Sequence, residues 1–114
     1  GTVYNTTDGD LELSGVLING FDISTAAYSG TSFSVQSQDT IPFGVTFNPD
    51  GTKMFIAGSQ GNDINEYNLT TGYDISTASF VQSFTITQES QITDVKFNND
   101  GTKMFVLWEC FLIL

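Results

Sequence analysis

Short apolar runs alternate with Gly-, Asn-, Asp-, Ser- and Thr-rich punctuation, and no segment sustains apolar residues at helical spacing between caps. The pattern predicts strands. The clearest series opens with Gly44 to Phe47 and turns through Asn48-Pro49-Asp50-Gly51-Thr52 into a second strand, Lys53 to Ala57. Asp-Gly between apolar runs signals a hairpin, because Gly accepts a positive φ without a Cβ clash and Pro presets φ. A Ser59-Gln60-Gly61-Asn62-Asp63 loop leads to a third strand, Ile64 to Leu69. A fourth, Ser79 to Thr87, is expected to carry Phe80, Phe84 and Ile86 on one face. The second strand differs, since Met54, Phe55, Ile56 and Ala57 are apolar in succession. Such a run calls for cover on both faces, as in the middle of a sheet stacked between neighbours.

The pattern then repeats. Asn48-Pro49-Asp50-Gly51-Thr52-Lys53-Met54-Phe55 returns as Asn98-Asn99-Asp100-Gly101-Thr102-Lys103-Met104-Phe105, a spacing of 101 − 51 = 50. Phe21-Asp22-Ile23-Ser24-Thr25-Ala26 returns as Tyr73-Asp74-Ile75-Ser76-Thr77-Ala78, at 75 − 23 = 52. Phe33 and Phe84 align at 84 − 33 = 51, which places one extra residue between Tyr28 and Phe33 and another between Gln36 and Gly44. Single insertions there predict a bulge and a longer loop. The organisation expected is a divergent strand or N-terminal cap over 1–20, a first copy over 21–72, an incomplete second copy over 73–107 and an atypical apolar tail over 108–114. In the first segment, Leu11 to Ile18 takes the place of a third strand from a preceding copy.

A period of about 50 residues with turn-and-strand chemistry is the mark of a β-propeller blade or a related β-array. The expected fold is therefore all-β, with antiparallel four-stranded blade-like repeats of β-propeller type. Closed propellers use roughly 4 to 8 blades, so two copies are incomplete as a single ring. The stretch Pro42-Phe43-Gly44-Val45-Thr46-Phe47-Asn48-Pro49-Asp50-Gly51-Thr52-Lys53-Met54-Phe55-Ile56-Ala57 resembles the blade repeat of the YVTN and lactonase-like β-propellers. That resemblance implies architecture and leaves activity open, because such repeats serve enzymes, surface-layer proteins and binding scaffolds alike. The chain departs from it in the long Asp-Ile-Ser-Thr-Ala connection, in Ile92-Thr93-Asp94 where Pro-x-Gly is expected, and in the tail that follows Leu107.

Charge narrows the function. Thirteen acidic residues face three lysines, with no Arg or His and a net charge of −10. Nucleic-acid backbones require clustered cations, so nucleic acid is excluded as a partner, and anionic membrane surfaces are disfavoured. Much of the polar surface is Ser, Thr, Asn and Gln, which points to an extracellular, cell-surface or virion setting. No secretory signal pattern is visible at Gly1-Thr2-Val3-Tyr4. The tail Trp108-Glu109-Cys110-Phe111-Leu112-Ile113-Leu114 is too short for a membrane span, which takes about 20 residues. It reads as a repeat cut short, or as an apolar segment that docks on a partner.

Catalytic chemistry finds little footing. Cys110 is the single cysteine, so no intrachain disulfide forms, and without His no nitrogen-and-sulfur zinc site is expected. A triad lacks its base. Two carboxylates suffice for acid/base work, yet nothing in the sequence selects a facing pair. Asp50 and Asp100 lack the oxygen alternation of a calcium loop and are assigned to turn hydrogen bonding. Asp8-Gly9-Asp10 with Glu12 is a sparse oxygen cluster, and Asn5-Thr6-Thr7 and Asn68-Leu69-Thr70 match glycosylation sequons. No catalytic residue, cofactor or metal is assigned.

The rim loops of a blade-like repeat, Gly58 to Asp63, Gln36 to Phe43 and Gln88 to Gln91, are where binding residues are expected. The candidates are Gln38, Asp39, Gln60, Asn62, Asp63, Glu89 and Gln91, with a protein or a glycan as partner. The leading expectation is a non-catalytic scaffold or protein- or glycan-binding surface. The alternatives are a fragment of a lactonase-like propeller enzyme, and a two-repeat chain that oligomerises into a closed ring. Self-association through exposed sheet faces and Phe111, Leu112, Ile113 and Leu114 is also expected.

Overall fold

The structure is a computed structural model that describes residues 2–4, 11–87 and 91–108. The described chain is all-β, with one single-turn 3-10 helix at Ile75–Thr77. Strands β1 (Thr2–Tyr4), β2 (Leu11–Asn19) and β3 (Asp22–Ser34) form a first sheet. Strands β4 (Pro42–Phe47), β5 (Lys53–Gly58), β6 (Asp63–Leu69) and β7 (Ala78–Thr85) form a second, and β8 (Ile92–Phe97) and β9 (Met104–Trp108) a third. Every pairing is antiparallel, neighbours in the sheet are neighbours in the chain, and none of the sheets closes on itself. The middle sheet runs from Pro42 to Thr85, so it draws strands from both sides of the 72/73 boundary of the sequence repeat. The apolar tail beyond Trp108, the Asp8-Gly9-Asp10 group and the Asn5 sequon lie outside the described residues.

The repeated turns have one construction. The Asp50 carboxylate accepts the Thr52 N–H at 3.0 Å and the Thr52 hydroxyl at 2.6 Å, while Asn48 Oδ1 accepts the Lys53 N–H at 2.9 Å. Asp100, Thr102, Asn98 and Lys103 repeat those bonds at 3.1, 2.7 and 3.0 Å. Gly51 and Gly101 both sit at φ 73°, the left-handed region that Gly enters without strain. Both aspartates are thus turn acceptors, and the Thr hydroxyl holds each carboxyl below its ordinary pKa. The second landmark repeats its side-chain bonds on different backbones, since Asp22 to Ala26 lies in β3 while Ile75–Thr77 forms the 3-10 turn. Asp22 and Asp74 each accept from the N–H and hydroxyl of the Ser two residues on.

Bulges decide which way side chains point. Between Ser14↔Ser32 and Val16↔Tyr28, β3 carries two more residues than β2, whereas between Glu66↔Gln82 and Tyr67↔Phe80, β7 carries one more than β6. The difference of one falls where the sequence alignment placed its first insertion. The bulge at Val81 also corrects an expectation. An extra residue reverses the strand's alternation, so Phe80 stands beside Tyr67 on one face and Phe84 beside Ile64 on the other.

Two clusters form the core, and the same contact builds both. On one side of the middle sheet, Leu13, Phe33 and Val35 pack against Val45, Phe47, Met54 and Ile56. On the other, Ile64 and Ile86 pack against Val95, Phe97, Met104 and Val106. Leu13→Ile64 and Val35→Ile86 are 51 residues apart (64 − 13 and 86 − 35). Val45→Val95, Phe47→Phe97, Met54→Met104 and Ile56→Val106 are 50 apart (for example 95 − 45). Each sheet therefore meets the next through the same positions. The unbroken apolar run of β5 is explained by this: Met54 and Ile56 enter the first cluster, and Phe55 and Ala57 the second. Full burial of such side chains stabilises by roughly 1.5–3 kcal/mol each.

Candidate functional site

Meander topology puts the connections β3–β4, β5–β6 and β7–β8 at one end of the sheets. Six of the seven residues expected there are described, and Glu89 lies outside the described residues. They differ in what they do. Asp39 is not a surface group: it is 1% exposed, and its carboxylate accepts backbone N–H groups from Ile41 at 2.7 Å, Gly61 at 3.0 Å and Gln60 at 3.3 Å. It pins the β5–β6 loop to the β3–β4 connection. Gly58 has to be Gly, because a β-carbon there would overlap the Asp39 carboxylate. A buried carboxylate is tolerable only when its lone pairs find donors, and here three backbone amides supply them.

Asp63 lies beside it, half-buried. Burial first, and the neighbouring Asp39 carboxylate in addition, push the Asp63 carboxyl above its ordinary pKa, against the bond it accepts from Asn65 Nδ2 at 3.1 Å. Asn65 is fully buried and accepts the Ser83 hydroxyl. Tyr67, also fully buried, donates its hydroxyl to Gln38 Oε1 at 3.1 Å, and burial next to two carboxylates raises its pKa further. Asn62 takes a left-handed turn at φ 51°, accepts the Gln91 N–H at 2.9 Å and through its carbonyl accepts the Ile86 N–H at 2.8 Å. Gln60 is exposed, as is Gln91.

The structure thus gathers Asp39 with the Gln60 and Gly61 amides and Asp63 with Asn65 at one end, pairs Gln38 with Tyr67 beside them, and ties Asn62 separately to Gln91 and Ile86. Sequence reasoning missed Asn65, Tyr67 and Ser83, the inward-facing partners in these contacts. The available signal was the third strand itself, where polar Asn65 and amphipathic Tyr67 alternate with Ile64 and Glu66 on the opposite face. These contacts are directed inward. Asp39 has its oxygens committed to backbone amides, so it is not held as a nucleophile or base, and the pair with Asp63 is a loop clamp. No group of three or more His, Cys, Asp or Glu among the described residues is arranged to hold a metal ion. No described helix is long and apolar enough to cross a membrane.

The opposite end holds a cleft of about 450 Å³ between the Asn48–Lys53 turn and the Asn98–Gly101 turn. Phe47 and Tyr73 (centroids 5.4 Å apart) and Phe55 and Phe97 (4.5 Å) supply aromatic surface. Lys53 is committed to Glu66 at 2.8 Å, which holds that carboxyl below its ordinary pKa. Thr46, Lys96 and Asn99 side chains line the cleft and make no hydrogen bond to another described residue.

Comparison with known proteins identified no relative: no family model, no curated protein and no solved structure matches the chain.

Proposed function

We propose that this chain is a run of β-propeller-type blades serving as a non-catalytic scaffold in a secreted, cell-surface or virion protein. The observation that carries the reading is the repeated inter-sheet contact, in which Leu13, Phe33 and Val35 do for the middle sheet what Ile64 and Ile86 do for the next. Repetition of one interface at a fixed period is what radial or linear arrays are made of. The inward-facing rim contacts support scaffold over catalysis, because their most buried acid is saturated with backbone donors. Genes that concatenate residues 36–85 in four to eight copies test the reading. One copy number is expected to yield a monomer with a single cooperative melt and a ring-like scattering profile. Arrays that lengthen steadily with copy number at every size overturn closure.

A second reading, a glycan-binding surface, is favoured by the cleft alone. Sugar rings pack their apolar faces on aromatic side chains such as Phe97, and Lys96, Asn99 and Thr46, whose side chains bond no other described residue, offer polar groups around that platform. A glycan array probed with the protein tests it. Binding that Phe97→Ala or Lys96→Ala abolishes supports the cleft, and binding indifferent to both removes it.

A further inference from the structure

We propose that the cleft between the Asn48–Lys53 and Asn98–Gly101 turns takes a sugar that carries a carboxylate, with the Lys96 ammonium as the group that selects the acid. The inference rests on the glycan reading and names the class of sugar which that reading leaves open. It comes from the two places where the repeat is not kept. From Val45 to Phe55 and from Val95 to Phe105 the copies agree at every position except Thr46, which becomes Lys96, and Pro49, which becomes Asn99. All four of those residues line the cleft.

Neither change serves the fold. The turn closes with the same bonds in both copies, Asp50 to Thr52 and Asp100 to Thr102, so the Asn99 amide is no part of it. Pro49 presets φ for its turn, and Asn99 gives up that advantage while its side chain bonds no other described residue. Lys96 replaces a β-branched residue with one that strands disfavour, and its ammonium pairs with no described carboxylate. Substitutions that cost the local structure and return no contact inside the described chain point outward, to a ligand.

Charge decides which ligand. The other charges at the cleft are committed: Lys53 to Glu66 at 2.8 Å, and the Asp100 carboxylate to the N–H and hydroxyl of Thr102 at 3.1 and 2.7 Å. Lys96 is left as a single cation in a cleft walled by Phe47, Phe55, Tyr73 and Phe97. One ammonium matches one monoanion. Polysulfated or phosphorylated sugars call for clustered Lys or Arg, and a chain of net charge −10 repels them more strongly. A carboxylated sugar fits the groups present, its apolar ring face on the aromatic wall, its carboxylate on Lys96 and its hydroxyls on Asn99 and Thr46. The volume of about 450 Å³ lies within the range of small-molecule sites, about 300–1,000 Å³.

Two acid probes and their neutral partners test the proposal: an oligogalacturonate beside the same oligomer with its carboxyls reduced to alcohols, and sialyllactose beside lactose. NMR titration of the wild type is expected to show an acid bound about tenfold or more tightly than its neutral partner, the worth of a charge-assisted hydrogen bond. The pair that shows this preference distinguishes uronate from sialate. Lys96→Thr, which restores the first copy's residue, is expected to erase the preference, and Lys96→Gln gives a second reading of the same loss. Lys103→Gln removes the same charge outside the cleft and is expected to keep it. Circular dichroism melts report whether each variant folds. Equal binding of acid and neutral sugars overturns the proposal and leaves the glycan reading standing. A preference that the Lys96 and Lys103 variants lose alike overturns it too, as does no binding of any of the four probes, and the glycan array then decides the broader reading by itself.

Discussion

Tyr73 is seated on Gly51: its N–H donates to the Gly51 carbonyl at 2.9 Å, and a β-carbon on Gly51 would overlap its ring and amide nitrogen. The Tyr73 hydroxyl donates to the Pro49 carbonyl at 2.6 Å, so the connection between third and fourth strands closes over the turn between first and second. The two landmarks of the sequence repeat are one contact in space. Phe21, the counterpart of Tyr73, is fully exposed.

That contact separates two glycines that share a φ of 73°. Gly101→Ala meets no atom of the described residues within 4 Å and carries only the left-handed backbone penalty, about 1–2 kcal/mol. Gly51→Ala adds overlap with Tyr73 and is expected to destabilise by about 2–4 kcal/mol. Urea unfolding of both variants checks the order; equal losses would show that Tyr73 does not hold the turn.

Asp39→Ala leaves the Ile41, Gln60 and Gly61 amides without their acceptor. A loss of about 3 kcal/mol is expected, because a buried donor stripped of its partner bears its full desolvation penalty. Asp39→Asn keeps one carbonyl oxygen and is expected to lose less. Hydrogen exchange at Gly61 gives a local readout, and protection that survives Asp39→Ala would contradict the clamp.

Acid and base act on different carboxylates. Asp63 binds its proton more tightly folded than unfolded, so its contribution is full below the ordinary value of 3.8 and is lost as pH rises through the higher folded value. Asp50, Asp100 and Glu66 have lowered folded values, so their contributions are present above 3.8, 3.8 and 4.5 and are lost as pH falls below them. Asp63→Asn keeps an oxygen for Asn65 and removes the repulsion from Asp39. It is expected to raise stability at pH 7 relative to pH 3.5, seen as a change in the melting-temperature difference between these pH values. An unchanged difference refutes the assignment.

Met54 and Met104 hold the same place in successive copies, yet Met54 is fully buried between two sheets while Met104 is half-buried. Met54→Ala is expected to destabilise by about 2–5 kcal/mol. Met104→Ala is expected to lose less than half as much, since solvent already reaches its side chain. Equal midpoints in guanidinium unfolding would contradict the difference in packing between the two sheets.

Much of this was legible in one dimension because its causes are local. Asn48 to Lys53 closes its turn with bonds between residues at most five apart, and Met54 to Ala57 declares two covered faces by having no polar one. The residue added between Tyr28 and Phe33 was found by alignment because a bulge is itself an insertion.

What stayed hidden depends on partners distant in the chain. Phe80 and Phe84 part company because a bulge at Val81 inverts the alternation, which is visible only against the register of β6. Asp39 reads as one more loop acid until Gln60 and Gly61, over twenty residues on, bring it their amides. Periodicity and turn chemistry determined the all-β class, the four strands of the middle sheet and the sequence repeat, since each follows from residues in direct succession, while β1 and the start of β3 at Asp22 were not read from them. Tertiary structure decided which polar groups are buried, because burial depends on the sheet that arrives from elsewhere and on whether it carries donors for the lone pairs it covers.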